Sequence, residues 1–315
     1  MSNSRGSSFS AGFGVVAGMI ALLAVPAALT LHTVRVSSVV DLAGRNPSPF
    51  GYTVSLLLFA VPIAGIAFWF IPLSGVKVSK HAFWWTIGLL FPVGALLDFF
   101  FAHTFFTFPN PRATLGWLAP ALHGGVPIEE YLFYFLGFVV VLLMYVWLDE
   151  YWLAAYNVSE DSPQRVDFER LLQFHPGSLV LGVLLIAAGI LYRRYVAQIS
   201  TGFPGYWTFL VVGALVPSSA LFPSARTVVN WRAFSLTAYI ILLTSLMWEV
   251  TLALPYGWWG FRPEQMIGLN VTAWDNLPIE EVVLWLTVTF TTVLVYEVVK
   301  RWKASGKPMR RAMLG

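Results

Sequence analysis

The chain has 315 residues, 57% hydrophobic and 11% charged, with a mean hydropathy of +0.71 and a formal net charge of +3. A soluble protein of this length needs more polar surface, so the composition specifies an integral membrane protein. It contains no cysteine, which excludes disulfides, thiolate nucleophiles and iron–sulfur clusters.

Residues 1–10 are polar, and the apolar stretch after them is long enough to read as a retained first span rather than a cleaved signal. Eight spans are expected, at 11–31, 53–71, 82–104, 128–148, 178–196, 206–222, 233–253 and 279–299. Each is near the ~20 residues that cross hydrocarbon. The sixth is interrupted by Pro217, Ser218, Ser219 and Pro223, and the third carries Pro92 and Asp98. The expected fold class is therefore all-α, a polytopic membrane helical bundle of about eight spans.

The most polar connection, 151–177, divides a first unit at 1–150 from a second at 178–300, and a basic tail follows at 301–315. The N-terminus, the loops after spans 2, 4 and 6, and the C-terminus together hold 13 of the 19 Lys and Arg residues. That bias predicts both termini in the cytoplasm. The tail residues Lys300, Arg301, Lys303, Lys307, Arg310 and Arg311 suit that role better than nucleic-acid binding, since no recognition fold accompanies them.

The two units align at an offset of 151 residues, a two-fold internal sequence repeat. Val-Pro-Ile-Glu-Glu at 126–130 falls on Leu-Pro-Ile-Glu-Glu at 277–281, and a lone acid precedes each first glutamate by 31 residues: Asp98 and Glu249. Four spans per unit would place both motifs on one membrane face. Proline and acids suit a helix start, so each segment also reads as a well-made cap. One acid is enough for that, and both copies keep two. Neighbouring glutamates point to different faces; Glu130 shares one with Tyr134, and Glu281 with Trp285.

Asp98 and Glu249 lie within apolar runs, where charge is expensive and where ionisable groups mark chemistry or a helix–helix hydrogen bond. A carboxylic acid kept neutral in such surroundings can donate a proton near neutral pH. Between acid and motif, each half has an aromatic hairpin. Phe105 and Trp117 belong to the first, Trp258 and Trp259 to the second, and Trp248 and Trp285 flank it. Singly these suit an interfacial belt. Together with Tyr134 they are candidates for lining a cavity in which ring faces stabilise a carbocation. Gly124-Gly125 lacks a dinucleotide or P-loop context, and the five histidines lack metal-site spacing, so neither cofactor nor metal is expected.

The paired Pro-Ile-Glu-Glu segments, Asp98 and Glu249 resemble the membrane-integral lycopene cyclase family of bacteria and archaea, also found as the cyclase domain of fungal bifunctional carotenoid enzymes. The resemblance covers roughly 53–150 and 206–300. Trp248-Glu249 and Gly257-Trp258-Trp259-Gly260-Phe261 approximate a further family pattern, whereas the first half has Leu97-Asp98 and then phenylalanines. It implies a non-redox isomerase of carotenoid biosynthesis, in a plasma membrane, with no obligatory second subunit; a homo-oligomer is compatible. Its partners would be membrane lipid and a polyene or isoprenoid whose linear ψ-end is protonated, closed to a six-membered ring and deprotonated. Glu129 and Glu280 are the first choice for central acids, Glu130 and Glu281 the second, with Asp98 and Glu249 orienting the donor or accepting the leaving proton. Three other readings stay open: a membrane terpene cyclase for a shorter isoprenoid, a proton-coupled transporter and a membrane assembly protein.

Overall fold

The computed structural model describes residues 17, 18, 21, 25, 48–159 and 162–315. Among the described residues, seven helices are long and apolar enough to cross a membrane: α1 Gly51–Ser74, α2 Lys80–Phe105, α3 Ile128–Trp152, α4 Pro176–Val196, α5 Gly205–Ala225, α6 Trp231–Ala253 and α7 Ile279–Ser305. They coincide with the second to eighth expected spans. The first, 11–31, lies almost wholly outside the described residues. The protein is an all-α polytopic bundle with membrane character.

Apolar content makes these helices, and its distribution sorts them. α3 and α7 have the most buried apolar stretches and α4 the least. α3 packs against α1, α2, α6 and α7, while α7 packs against α2, α3, α5 and α6. Leu142, Tyr145 and Val146 of α3 meet Val293, Leu294 and Val298 of α7 in the main core. α5 remains helical through Pro217 and Pro223, with a π-helical stretch at Val211–Leu215 before the first proline.

Consecutive crossings bring the starts of α3 and α7 to one end of the bundle, the motif end. The connections leading into them are built from short strands. In the first, β1 is Phe106–Thr107, and β2 Leu118–Ala121 forms an antiparallel hairpin with β3 Gly124–Pro127. In the second, β4 is Gly260–Phe261, and β5 Asn270–Val271 pairs with β6 Leu277–Pro278. β1 and β4 pair with each other in the register Phe106↔Phe261, which ties the two connections together. Asn110 Nδ2 adds a bond to the Tyr256 carbonyl at 2.9 Å.

At the opposite, basic end, the polar segment between α3 and α4 folds down onto α7. Arg165, fully buried, meets Glu297 at 2.6 Å, and Tyr145 donates to the same carboxylate at 3.1 Å. Burial works against the Arg165 charge, but Glu297 outweighs it, and the guanidinium is held above its ordinary proton affinity. Arg301 donates to the carbonyls of Gln164, Arg165, Asp167 and Ser224. The connecting segment and the first residues of the tail are thus part of the packed structure, not loose polar chain.

Candidate functional site

The six acids singled out from sequence are all buried, between 0 and 8% exposed, and all lie near the motif end. Pro127 and Pro278 are the last residues before α3 and α7, so each glutamate pair occupies a first helical turn. Adjacent helical residues point apart, and the two members of each pair do different things.

The first glutamates turn back to the connections. Glu129 Oε1 accepts the Leu115 N–H at 2.7 Å and the Thr53 hydroxyl at 2.5 Å. Glu280 Oε1 accepts the Ile267 N–H at 2.6 Å. Each thereby satisfies a backbone donor of the connection, fully buried at Ile267 and partly so at Leu115, and fixes its hairpin to the helix it precedes.

The second glutamates face the bundle interior. Glu130 lies beside Asp98 and is met by the Tyr52 side chain; Glu281 lies beside Glu249 and faces Tyr206. The upstream acids are held by the residue one turn after each second glutamate. Tyr134 donates to Asp98 Oδ1 at 3.3 Å, and Trp285 Nε1 donates to Glu249 Oε1 at 2.7 Å. Glu249 opens a π-helical stretch, Glu249–Ala253, that ends α6. Gly94 allows the first contact, since a Cβ there would stand 2.8 Å from the Tyr134 ring. One oxygen of every acid has no protein partner: Asp98 Oδ2, Glu129 Oε2, Glu130 Oε1, Glu249 Oε2, Glu280 Oε2 and Glu281 Oε1. Buried polar atoms are normally satisfied, so an interior with this many unpaired carboxyl oxygens is equipped to exchange protons or bind a polar group.

Between α3 and α7 runs a narrow apolar cleft with an accessible volume of about 20 Å³, lined by Tyr134, Gly137, Leu284 and Trp285 among others. Tyr134 and Trp285 are therefore shared between cleft wall and acid support. A larger, open surface depression with an accessible volume of about 620 Å³ lies against α2 at Lys80–Leu89, at the basic end and away from the acids.

The remaining aromatic candidates are dispersed. Trp248 and Trp258 are buried around Tyr52 with Trp259, ring centroids 5.0 to 6.1 Å from the tyrosine. Phe105 packs in a separate cluster with Phe106 and Tyr206. Trp117 is 71% exposed and borders none of this. Sequence reasoning missed Tyr52 and Tyr206. They precede Glu130 and Glu281 by 78 and 75 residues, so the fixed offset does not superimpose them.

Among the described residues no three His, Asp or Glu side chains converge as a metal-binding cluster. Outside the spans, burial raises the proton affinity of Asp275, which sits in a left-handed turn before β6. Compared with protein-family models, curated proteins and solved structures, the chain matches none of them.

Proposed function

We propose that the chain is a membrane-embedded, non-redox cyclase of a linear polyene such as lycopene. The observation that carries this reading is the pair of interior acid centres, Asp98–Glu130 and Glu249–Glu281, set beside an apolar cleft whose wall is aromatic. Cyclisation of a ψ-end needs an acid, a base and surroundings without a nucleophile. A protonated carboxyl gives its proton to the terminal double bond and a tertiary cation forms. The internal double bond attacks it and closes the six-membered ring. A carboxylate then removes a ring proton, leaving an alkene of unchanged mass. Ring faces and carboxylates stabilise the cation without water.

In this reading Glu130 and Glu281 are the acids nearest the reaction, with Asp98 and Glu249 as their proton partners. That ranking reverses the order preferred from sequence, because Glu129 and Glu280 are engaged with backbone N–H groups. The two halves would be an internal repeat sharing one cleft. Tyr134–Asp98 and Trp285–Glu249, each spaced by 36 residues, support it. The cleft's accessible volume of about 20 Å³ is far below the ~300–1,000 Å³ of sites that bury a drug-sized ligand. In this reading an end group therefore enters as α3 and α7 part, with the rest of the polyene along the lipid-facing helices. The basic end, with Lys300, Lys303, Lys307, Arg310 and Arg311, would be cytoplasmic.

The test is expression in cells that accumulate lycopene, with chromatography and mass analysis of the pigments. A cyclic product of equal mass is expected. Folded protein in the membrane with no cyclic product from lycopene, neurosporene or a shorter polyene rejects the reading.

A further inference from the structure

The four interior acids are 0 to 8% exposed, so protons that reach or leave them need a route through the protein. Along α7, Glu281, Trp285, Thr289 and Thr292 recur at spacings of four, four and three residues, which places them on one helical face. On α6, Ser245 is one turn from Glu249. The Trp285–Glu249 bond fixes the register of this helix pair, so Ser245, one turn from Glu249, and Thr289, one turn from Trp285, both lie toward the basic end.

Ser245, Thr289 and Thr292 are 0 to 1% exposed, and their hydroxyls have no protein partner. Buried hydroxyls in helices ordinarily bond the carbonyl four residues back. Thr86 and Thr237 of this bundle do so, each at 2.8 Å, to Ala82 and Ala233. The three on the α6–α7 seam do not, and so keep both donor and acceptor capacity. Beyond Thr292 stands the cluster of Glu297, Tyr145, Arg165, Asp149 and Lys300. Lys300 bonds Glu150 at 3.0 Å, and the Glu150 side chain is 25% exposed. From Glu281 to Glu297 the rise is about 24 Å, most of the hydrocarbon thickness. The first half has no counterpart: 151 residues earlier, the same positions are Gly94, Phe138 and Val141.

We propose that Ser245, Thr289 and Thr292 form a proton-exchange path joining the Glu249–Glu281 centre to the Glu297 cluster, leaving the Asp98–Glu130 centre without one. The path moves protons only: each hydroxyl passes on one proton as it accepts another. The Ser245 and Thr289 hydroxyls and Glu249 Oε2 supply the polar partners that a bridging water needs. Its purpose rests on the cyclase reading, in which a donor acid is returned to its protonated state between turnovers.

The experiment is substrate-free. Protein in lipid vesicles is transferred to D₂O, and deuteration of the buried carboxyls is followed by infrared spectroscopy. The band of the second centre is the one lost in Glu281→Gln or Glu249→Gln. Thr289→Val with Thr292→Val keeps shape and removes two hydroxyls; it should slow exchange of that band by about tenfold or more. Thr289→Ser with Thr292→Ser should exchange as the wild type does, and Ser245→Ala, which deletes a single hydroxyl, should slow it as well. Unchanged exchange in both the valine pair and Ser245→Ala overturns the path, as does the absence of any carboxyl band lost in either glutamine variant. A wild-type protein that forms no cyclic product ends the cyclase reading but leaves this measurement intact.

Discussion

The two acid centres use the same positions with different chemistry, and the contrast shows what each can do. In the first, a tyrosine holds an aspartate at 3.3 Å; in the second, a tryptophan holds a glutamate at 2.7 Å. A tyrosine hydroxyl both donates and accepts, whereas an indole N–H only donates. Trp285 therefore anchors one Glu249 oxygen and leaves the other without a protein partner. Tyr134 has the chemistry to pass a proton to or from Asp98. On the proposed path, the second centre would depend instead on hydroxyls along the α6–α7 seam.

The hardest test of this contrast is to remove the interior acids one at a time. Glu130→Gln and Glu281→Gln should each lower cyclic product by about 10²–10⁴-fold, the usual worth of a positioned general acid or base. Membrane abundance should stay near wild type, because glutamine keeps the volume. Equal loss in both would mean that both centres serve every turnover. Loss in only one would assign the chemistry to that centre, and full activity in both would remove them from the mechanism. The measurement is product yield per folded protein.

At the basic end the halves diverge further. Glu297 stands where the first half has Val146, and Lys300 where it has Asp149. Arg165→Ala would leave Glu297 with a single hydroxyl donor in a fully buried setting. Breaking such a pair from one side costs about 3–5 kcal/mol, so thermal denaturation in detergent should fall well below wild type. Arg165→Met with Glu297→Leu should recover much of the loss, since apolar replacements of buried pairs are tolerated. A double variant no better than the single one would show that the ion pair specifies how the connecting segment docks.

Hydropathy placed seven helices within a few residues of their observed bounds, because the bilayer demands both length and apolarity of a span. The acid set was legible for the same reason: charge in such helices stands out. What each glutamate touches was not legible. Glu129 and Glu130 differ only in where adjacent side chains point, and Leu115, whose N–H captures the first, offers no side-chain signal. Tyr52 and Tyr206 escaped because the segments before them differ in length. Trp117 looked like its hairpin neighbours in sequence and proved exposed, since local composition does not say which side of a hairpin faces the bundle.

A smaller effect separates the two supports of the upstream acids. Trp285→Phe removes the indole donor to Glu249 in a buried site, which costs about 1–3 kcal/mol. Tyr134→Phe removes a longer bond and should cost less, toward the ~0.5 kcal/mol end of ordinary hydrogen bonds. Denaturation midpoints of the two variants compare them directly. If Tyr134→Phe is the more damaging, the first centre depends on its hydroxyl more than the 3.3 Å geometry implies.

The smallest effect turns on one methyl group. Gly94 and Ser245 occupy matching positions 151 apart, and the first is pressed against the aromatic residue of its own centre. A Cβ at Gly94 would meet the Tyr134 ring at 2.8 and 2.9 Å, so the ring or α2 has to move. Alanine is a better helix former than glycine by about 1 kcal/mol, while forcing a methyl into a packed contact costs about 1–3 kcal/mol. Gly94→Ala should therefore fall between neutral and ~2 kcal/mol destabilising, and it should lengthen the Tyr134–Asp98 contact. Ser245→Gly runs the other way: it opens space, loses helix propensity and removes a hydroxyl from the seam. If the Tyr134–Asp98 bond matters to activity, displacing the ring in Gly94→Ala will lower activity as removing the hydroxyl in Tyr134→Phe does. If Gly94→Ala leaves activity unchanged, the tyrosine has room to reach Asp98 from a displaced ring, and the close approach of α2 and α3 serves packing alone.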